Sequence, residues 1–450
     1  MKPTDTIVAI ATAPGRGGVG IVRLSGPQAA AIAQTICRRP LPAPRQAALR
    51  HFHDAQNEVL DHGLVLLFPA PHSFTGEDVV ELQGHGGPVV LDLIVRAACA
   101  AGARLARPGE FSERAFLNDR LDLAQAEAIA DLIDAGSAEA ARAAQRSLDG
   151  VLSQRVAQIG EQLIELRVYI EGALDFSDED VDWLAAAALH DKLAATRAAL
   201  DALLAEAAQG RRLREGYVVA LTGRPNVGKS TLLNRLAGAD VAIVTDIAGT
   251  TRDVLRENLH LRGLPLTLVD TAGLRETEDP VEREGLRRAR RALEHAELAL
   301  FVVDARDPGA IEDQRLLAEL PAGLPRLVVH NKIDIAGEAP RRVETAEGVA
   351  LYLSAASGDG IELLIDELLR CAGLQTGEAA SFSARTRHVE ALQRARGYLA
   401  QAAQRLAQRE LPELAAEDLR LAHEALGEIS GRFGSEDLLG RIFAGFCIGK

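Results

Sequence analysis

The spacing of hydrophobic and polar residues changes three times along the chain. Over residues 1–118, short β-rich runs alternate with turns rich in glycine and proline, which predicts strands at 7–10, 20–24 and 63–68. A helical pattern follows them at 89–101. The first part of the chain therefore predicts an α+β domain.

Residues 119–215 carry a helical pattern instead. Apolar residues recur at intervals of three and four in LAQAEAIADLIDA and in VLSQRVAQIGEQLIELRVYIEGAL, as one face of a helix requires. The pattern breaks at GRRLREG, residues 210–216, so we expect the helical segment to end there. Glycines inside this region mark either helix breaks or close contacts, and these are Gly136, Gly150, Gly160 and Gly172.

Strands and helices alternate between residues 216 and 373. Because helical segments separate the apolar runs, this part predicts a doubly wound α/β domain. The predicted strands are 217–222, 264–269, 298–304, 327–330 and 350–354. Helical composition returns over 374–450, so we expect one helical domain, 119–215 plus 374–450, that an inserted domain at 216–373 interrupts.

Composition and charge narrow the class of protein. The chain has 450 residues with 50 basic and 64 acidic side chains, a net charge of −14, which excludes electrostatic attraction of the whole chain to nucleic acid or to an anionic membrane. A local basic patch stays compatible with this charge. The first twenty residues lack a signal-peptide core, no apolar run approaches about 18 residues, and the four cysteines are widely separated. We therefore expect a cytoplasmic protein without a membrane span, disulfide framework or zinc site.

The strongest local signal is GRPNVGKS at residues 223–230, which fits G-x-x-x-x-G-K-[ST] between an apolar strand and a helical segment. Its glycines let backbone N–H groups curl around phosphates, and the helix N-terminus that follows favours an anion. In such a loop Lys229 contacts the β- and γ-phosphates and the Ser230 hydroxyl binds Mg²⁺. We expect nucleotide contacts from Asn226, Val227, Gly228, Lys229, Ser230 and Thr231.

Further short motifs complete a guanine-nucleotide site. The aspartate of DTAG, at the end of a strand, can hold Mg²⁺ through water, and a preceding threonine pair can close over the metal and the γ-phosphate. The last carboxylate of NKID accepts both N1–H and N2–H₂ of guanine, a donor pair that adenine lacks, and a Ser-Ala pair supports the guanine O6 side. Together the motifs predict a GTPase. Their residues are Asp270, Thr271, Ala272, Gly273, Thr250, Thr251, Asn331, Lys332, Asp334, Ser354 and Ala355.

Two residues bear on the hydrolysis step. Many GTPases follow DTAG with a Gln that orients the attacking water, but Leu274 stands there in this chain. Leucine can neither orient nor deprotonate water, so catalytic help must come from elsewhere. Asn226 offers an amide oxygen that either serves a cation or stabilises the turn, and the sequence leaves both roles open.

Over essentially its whole length the chain resembles the MnmE (TrmE) family of tRNA wobble-uridine modification GTPases. The resemblance rests on DTIVAIATAPGRGGVGIVRLSGP, HSFTGEDVVELQGHGGP and RPGEFSERAFLNDRLDLAQAEAIADLI, on GRPNVGKSTLLN and VTDIAGTTRD in the inserted domain, and on the terminal FCIGK. It implies a tetrahydrofolate-binding domain at 1–118, a helical domain, and an inserted P-loop GTPase domain.

The resemblance also implies that potassium stimulates hydrolysis as the GTPase domains dimerise. K⁺ would offset transition-state charge where another GTPase uses an arginine finger, and Glu282 would position the water through a bridging molecule. Residues implied as K⁺ ligands are Asn226, Thr245, Ile247 and Thr250. The loop around nucleotide and cations comprises Thr245, Asp246, Ile247, Ala248, Gly249, Thr250 and Thr251, with Thr251 and Ser230 on Mg²⁺.

By the same resemblance, a tetrahydrofolate derivative in the 5-formyl or 5,10-methylene form binds at Arg23, Glu81, Arg120 and Lys450, with Arg120 standing where the family often has Lys. It would supply the one-carbon unit for an aminomethyl-type (carboxymethylaminomethyl) group at C5 of the wobble uridine, position 34, in certain tRNAs. The chain is implied to form a homodimer and a hetero-oligomer with an FAD-containing, MnmG (GidA)-like partner. Cys447 is implied to matter for modification as nucleophile, proton donor or structural element.

Two other functions compete with this one. A ribosome-assembly GTPase shares the GRPNVGKST loop but would be expected to append an RNA-binding module, and a pure GTP-dependent interaction switch needs neither Cys447 nor a one-carbon site. GRGGVG, residues 15–20, matches a dinucleotide-binding pattern, but a strand is predicted after it where that fold needs a helix. The basic stretch 283–291 either contacts RNA phosphates or forms a solvated helix face.

Overall fold

The computed structural model of the chain describes residues 5–175, 187–239, 256–270, 296–321, 323–345, 348–373, 381–408, 412–431, 442–443, 445–446 and 449. Two compact units divide the chain. One comprises Met1–Ala130, Ser147–Leu200 and Ala391–Lys450, and the other Asp131–Arg146 and Asp201–Glu390. The presence of both sheets and helices confirms the predicted α/β and α+β fold class. The predicted domain ranges 1–118, 119–215, 216–373 and 374–450 stay predictions.

A six-stranded sheet forms the centre of the first unit, in the order β3-β4-β5-β2-β1-β6. Neighbouring strands are antiparallel except for β1 and β6, which are parallel. The strands are β1 Ile7–Ile10, β2 Gly17–Ser25, β3 Ala48–His53, β4 Val59–Phe68, β5 Val79–Gly86 and β6 Arg104–Leu105. β1 matches the predicted strand at 7–10, and the runs at 20–24 and 63–68 lie within β2 and β4.

Two helices, α1 Ala29–Cys37 and α2 Pro88–Ala100, cover one face of this sheet. Strand residues that point toward them are apolar: in β2, Val22 and Leu24 are buried while Arg23 between them lies on the other face. α2 begins with Pro88, whose fixed φ suits the first helical position. The observed helix confirms the helix predicted at 89–101.

In the described part of residues 110–215, five helices follow: α3 Glu110–Leu117, α4 Leu123–Ile133, α5 Ala138–Leu148, α6 Val151–Asp175 and α7 Ala187–Glu215. Gly136 and Gly150 lie between helices, whereas Gly160 and Gly172 lie inside α6. A Cβ on Gly160 would come within 3.3 Å of the His423 ring, so this glycine marks a close contact.

The helical segment ends within 210–216, as expected: α7 continues through Gly210 and ends at Glu215. Gly210 lies inside this helix and permits a close contact, because a Cβ at this position would lie 2.3 Å from the Phe382 carbonyl oxygen. Leu213 in the last turn is buried, so burial as well as the helix propensity of Leu, Arg and Glu sustains the helix. The chain leaves it at Gly216, whose φ of +84° favours glycine.

The second unit contains a seven-stranded sheet in the order β12-β13-β11-β10-β7-β9-β8. Its strands are β7 Tyr217–Thr222, β8 Arg256–Leu261, β9 Leu264–Asp270, β10 Leu298–Asp304, β11 Arg326–Asn331, β12 Arg341–Thr345 and β13 Gly348–Tyr352. The central five run parallel, and the outer strands β8 and β12 are antiparallel to their neighbours. Carboxyl ends of parallel strands share one edge, so the segments after these strands meet there.

Further helices accompany this sheet: α8 Lys229–Ala239, α9 Ile311–Ala318, α10 Ile333–Ala336 and α11 Ile361–Cys371. The remaining described helices are α12 Thr386–Gln408 and α13 Pro412–Ser430, in the region where helical composition was predicted to return. No helix in the described ranges combines the length and apolar character that a membrane crossing requires.

Candidate nucleotide-binding site

The loop between β7 and α8 curls tightly at the carboxyl edge of the sheet. Gly223 has a φ of +140°, and a Cβ there would lie 2.2 Å from the carbonyl oxygen of Val302 in β10. At Gly228, with φ +101°, a Cβ would lie 2.3 Å from the side-chain nitrogen of Asn331. Both positions therefore require glycine, and the sequence motif has a geometric cause.

Lys229 is the first residue of α8 and is buried. Its ammonium folds back across the loop and donates to the carbonyl oxygens of Gly223 at 2.7 Å and Arg224 at 2.9 Å. A positive charge is thus held inside the loop at a helix N-terminus, where the helix dipole also favours an anion. This arrangement suits the terminal phosphates of a nucleotide.

Asn331, at the end of β11, joins three of the predicted motifs. Its side-chain NH₂ donates to the carbonyl of Val227 in the phosphate loop at 2.8 Å, and its side-chain oxygen accepts the backbone N–H of Ala355 at 2.9 Å. Asn331 and Ala355 are both almost completely buried. The predicted guanine motifs and the phosphate loop are therefore one connected structure.

Lys332 makes a second connection between these loops. Its ammonium donates to the carbonyl oxygen of Asn226 at 2.6 Å and to the carboxylate of Asp304 at 2.8 Å. Hydrogen bonds from Arg306 and then from Lys332 hold the pKa of Asp304 well below its usual range, although burial opposes this. Asp304 was not predicted, and its signal was an acid at the carboxyl end of an apolar run.

The remaining predicted contacts lie around this centre. Asp334 is exposed in α10, which begins directly after Lys332, so its carboxylate is accessible to a base. Ser354 is buried, and its hydroxyl accepts the N–H of Ser357 at 3.2 Å. Ser230 and Thr231 are exposed in the first turn of α8. Asp270 is the register partner of Leu221, so its backbone lies at the same sheet edge.

Several predicted site residues lie outside the described residues. They are Thr245, Asp246, Ile247, Ala248, Gly249, Thr250, Thr251, Thr271, Ala272, Gly273, Leu274, Glu282, the stretch 283–291, Cys447 and Lys450. Their roles stay predictions. Over the described ranges, no cluster of three or more His, Cys, Asp or Glu side chains could hold a metal ion.

The first unit brings together two of the predicted folate residues. Arg23 in β2 and Glu81 in β5 are register partners, and they form an ion pair at 2.9 Å. The Arg23 guanidinium lies 5.6 Å from the Phe74 ring centre and 5.9 Å from that of Phe111. It also reaches the carbonyl oxygen of Gly449, in the C-terminal tail, at 3.5 Å. Gly449 therefore lies beside the Arg23–Glu81 pair.

Arg120 lies beside the loop that precedes β5. Its backbone N–H donates to the Ala115 carbonyl at 2.8 Å, and its side chain packs within 3.1 Å of where a Cβ on Gly76 would be. Arg120 also lines a cavity of about 520 Å³ within the first unit.

A buried ionic cluster near this loop was not predicted. Arg114 is 1% exposed, and its guanidinium pairs with Asp5 at 2.8 Å, Glu77 at 3.1 Å and Glu110 at 3.1 Å. Glu77 lies in the FTGED segment, so the cluster ties that loop to α3. Only the i, i+4 spacing of Glu110 and Arg114 was visible in the sequence, because the other partners come from distant segments.

Comparisons with known proteins give a consistent result. The model of the MnmE helical domain matches residues 123–447, and that of the GTP-binding protein TrmE N-terminus matches residues 6–120. The chain is 56% identical over 451 residues to the tRNA modification GTPase MnmE of Ectopseudomonas mendocina (strain ymp), covering 99% of both chains. It is 54% identical over 446 residues to the protein of that name from Methylococcus capsulatus, again covering 99% of each. A solved structure of Era from Aquifex aeolicus bound to GDP·AlF₄⁻ matches 41% of this chain and 66% of its own, at 28% identity and a TM-score of 0.29.

Proposed function

The chain belongs to the MnmE family of tRNA modification GTPases, and on that premise we propose that it hydrolyses GTP and modifies tRNA in the cytoplasm. With an FAD-containing, MnmG-like partner, it places an aminomethyl-type (carboxymethylaminomethyl) group on C5 of the wobble uridine. The observation that carries the GTPase part is the contact of Asn331 with Val227, because it joins base recognition to the phosphate loop.

GTP binding follows from the charges and donors at the sheet edge. Backbone N–H groups of the phosphate loop and the ammonium of Lys229 bind the phosphates. Asp334 accepts the paired guanine donors. Mg²⁺, which neutralises charge on the phosphates when bound, would be held by Ser230 and Thr251, with Asp270 acting through water. The exposed Ser230 hydroxyl fits this role, since Mg²⁺ prefers oxygen ligands.

We propose that K⁺ assists hydrolysis when the GTPase domains of a homodimer meet. Asn226, Thr245, Ile247 and Thr250 would hold the cation, which would offset negative charge in the transition state. Asn226 fits this role: Lys332 engages its backbone carbonyl, while no described side chain contacts its exposed amide. Glu282 takes the water-positioning part that Leu274 cannot perform.

We propose that the one-carbon donor, a 5-formyl or 5,10-methylene tetrahydrofolate, binds at Arg23, Glu81, Arg120 and Lys450. A guanidinium beside two aromatic rings and a half-buried carboxylate suits a flat heterocycle with N–H donors. The contact of Arg23 with Gly449 supports a role for the tail, since Gly449 follows Cys447 by two residues in the sequence.

The proposal is tested by mass analysis of tRNA nucleosides from cells that lack the protein. Loss of the modified wobble uridine is expected. An intact nucleoside profile together with accumulated ribosomal precursors would favour a ribosome-assembly GTPase. An intact profile with normal ribosomes would favour a pure interaction switch.

A further inference from the structure

A basic cavity lies in the first unit where the C-terminal end of α1 meets β3. Its volume is about 240 Å³, and it is separate from the nucleotide site and from the Arg23–Glu81 pair. The lining residues are Cys37, Arg38, Arg39, Leu49, Arg50, His51 and His53. Three arginines and two histidines thus line a small space in a chain of net charge −14.

The three arginines of this cavity lack acidic partners. Within the described residues, none of Arg38, Arg39 and Arg50 lies within 4.0 Å of a carboxylate oxygen. The hydrogen bonds that Arg38 and Arg50 donate go to neutral carbonyl oxygens, from Arg38 to Asp54 at 3.0 Å and from Arg50 to Leu49 at 2.9 Å and Pro40 at 3.3 Å. Their positive charges are therefore uncompensated. Elsewhere in the same unit, the buried Arg114 has three carboxylate partners.

Arg50 also carries an unused donor. Its Nε–H is shielded from solvent and has no hydrogen-bond partner in the described structure, although leaving a buried donor of a charged group unpaired costs free energy. A ligand atom that accepts hydrogen bonds in the cavity would remove this cost.

A helix C-cap is the plain alternative explanation for these arginines. Arg38 is the C-cap residue of α1, with φ +55°, and cations are favourable at a helix C-terminus. However, the helix end contributes only about −0.5 of an elementary charge, against three guanidiniums. The nearby carboxylate of Asp54 accepts the N–H groups of Gln56 at 2.9 Å and Glu58 at 2.8 Å; it keeps its charge, but it forms no ion pair with these arginines and offsets at most one of their three charges. Capping therefore leaves a large positive excess.

The other groups that face the cavity do not offset this charge. Burial raises the pKa of Cys37 to about 11, although Arg50 opposes the rise, so the thiol is neutral near pH 7. The Nδ1 of His53 lies 3.2 Å from the carbonyl of Ile36 and therefore donates to it. The cavity presents donors and positive charge.

We propose that this cavity binds a phosphate of the tRNA backbone. The inference rests on the proposed function, which makes tRNA the substrate. A chain of net charge −14 repels RNA as a whole, so its contacts with the RNA backbone need local positive sites. Guanidinium groups match phosphate oxygens through paired N–H donors. Of the arginines that line it, Arg39 is exposed and Arg50 is half-buried.

The test uses the full-length protein and an unmodified tRNA transcript with a wobble uridine. Binding is measured over a range of salt concentrations for wild type, Arg39→Ala, Arg50→Gln and the control Arg96→Ala. The Arg96→Ala substitution removes the same formal charge, but Arg96 is exposed on α2 and is paired with Asp92 at 2.7 Å. Thermal melting of the full-length protein checks that each variant folds, because GTP turnover reports on the other compact unit.

Arg39→Ala and Arg50→Gln are expected to weaken tRNA binding about 3- to 10-fold and to lower the slope of log K against log salt by about 1, as loss of one phosphate contact does. Arg96→Ala should match wild type. If wild type binds tRNA and both cavity variants keep its affinity and slope, the inference is overturned, even where calorimetry shows that the cavity takes up inorganic phosphate. A wild-type chain that binds no tRNA, alone or with its partner, overturns the proposed function as well.

Discussion

The side chain of Asn331 donates a 2.8 Å hydrogen bond to the backbone carbonyl of Val227. It thereby joins the guanine-recognition loop after β11 to the phosphate loop before α8. The same side chain holds the N–H of Ala355 at 2.9 Å. A nucleotide bound at this edge would have its base and its phosphates positioned by one connected set of loops.

Replacing Asn331 with Ala leaves the Val227 carbonyl and the Ala355 N–H buried without partners. Each orphaned group costs about 1–3 kcal/mol. We expect at least a tenfold loss of GDP affinity by calorimetry, because the bound state needs both loops in place. Asn331→Asp keeps an acceptor for Ala355 but sets a carboxylate against the Val227 carbonyl, so it should bind no better. GDP affinity within twofold of wild type in both variants would contradict this account.

The sequence predicted many of the elements whose residues are buried and apolar, although α1 and β5, which are also largely buried, were not predicted. β7 and β10 have the predicted bounds. Five of the six residues of β7 and all seven of β10 are buried. The outer strands β8 and β12 were missed, because RENLHL and RRVET are largely polar and become strands only by pairing with β9 and β13. Their partners, and not their own composition, determine their structure.

Site residues divide in the same way. The motif residues from Gly223 to Ser230 and from Asn331 to Asp334 were visible because a local spacing carries their chemistry. Asp304, Arg114 and the arginine cavity were not predicted, since each depends on segments far apart in sequence. The sequence could show that these charges exist, but not which of them have partners.

The ionised carboxylate of Glu110 makes the stability of the first unit depend on pH. Burial would raise its pKa, but hydrogen bonds from Arg104, the backbone of Arg107 and Arg114 outweigh it and lower the pKa to about 2. Since a free Glu has a pKa of about 4.3, this stabilisation is complete above that pH and is lost as pH falls toward 2. Its size is on the order of 3 kcal/mol.

Glu110→Gln should therefore unfold more easily than wild type at pH 6, and the difference should shrink as the pH falls from about 4 toward 2. Chemical denaturation at a series of pH values measures it. Glu113→Gln, which removes a more exposed partner of Arg107, serves as the control. A pH-independent difference for Glu110→Gln would show that its charge does not stabilise the fold.

The proposed potassium dependence of GTP turnover can be tested at one amide, that of Asn226. GTP turnover in matched KCl and NaCl should be faster in KCl for wild type, and the difference should vanish when Asn226 loses its side chain. Because Asn226 has a φ of +63°, Asn226→Gly removes the amide without backbone strain. Asn226→Ala also removes the amide, but it adds backbone strain. Full KCl stimulation of the glycine variant would exclude Asn226 as a cation ligand.

Glu282 is predicted to position water, and its sequence context also suits a helix start, Asp279-Pro280. A helix-start role is worth about 0.3–1 kcal/mol, whereas loss of a catalytic acid or base costs about 10²–10⁴ in rate. We expect Glu282→Ala to bind GTP normally, to melt within a few degrees of wild type, and to turn over GTP at under about a hundredth of its rate. If the variant is slightly less stable but turns over GTP at a near-native rate, Glu282 serves only the helix start and not catalysis.

The central claim is that the GTP site and tRNA modification belong to one function. The most direct measurement is nucleoside mass analysis of tRNA from cells whose only copy of this protein carries Lys229→Ala, the residue that holds positive charge inside the phosphate loop. We expect the variant to accumulate as folded protein, to lack GTP turnover, and to leave the wobble uridine unmodified, while the wild-type copy restores the modified nucleoside. A full level of modified wobble uridine with the Lys229→Ala copy would contradict the account.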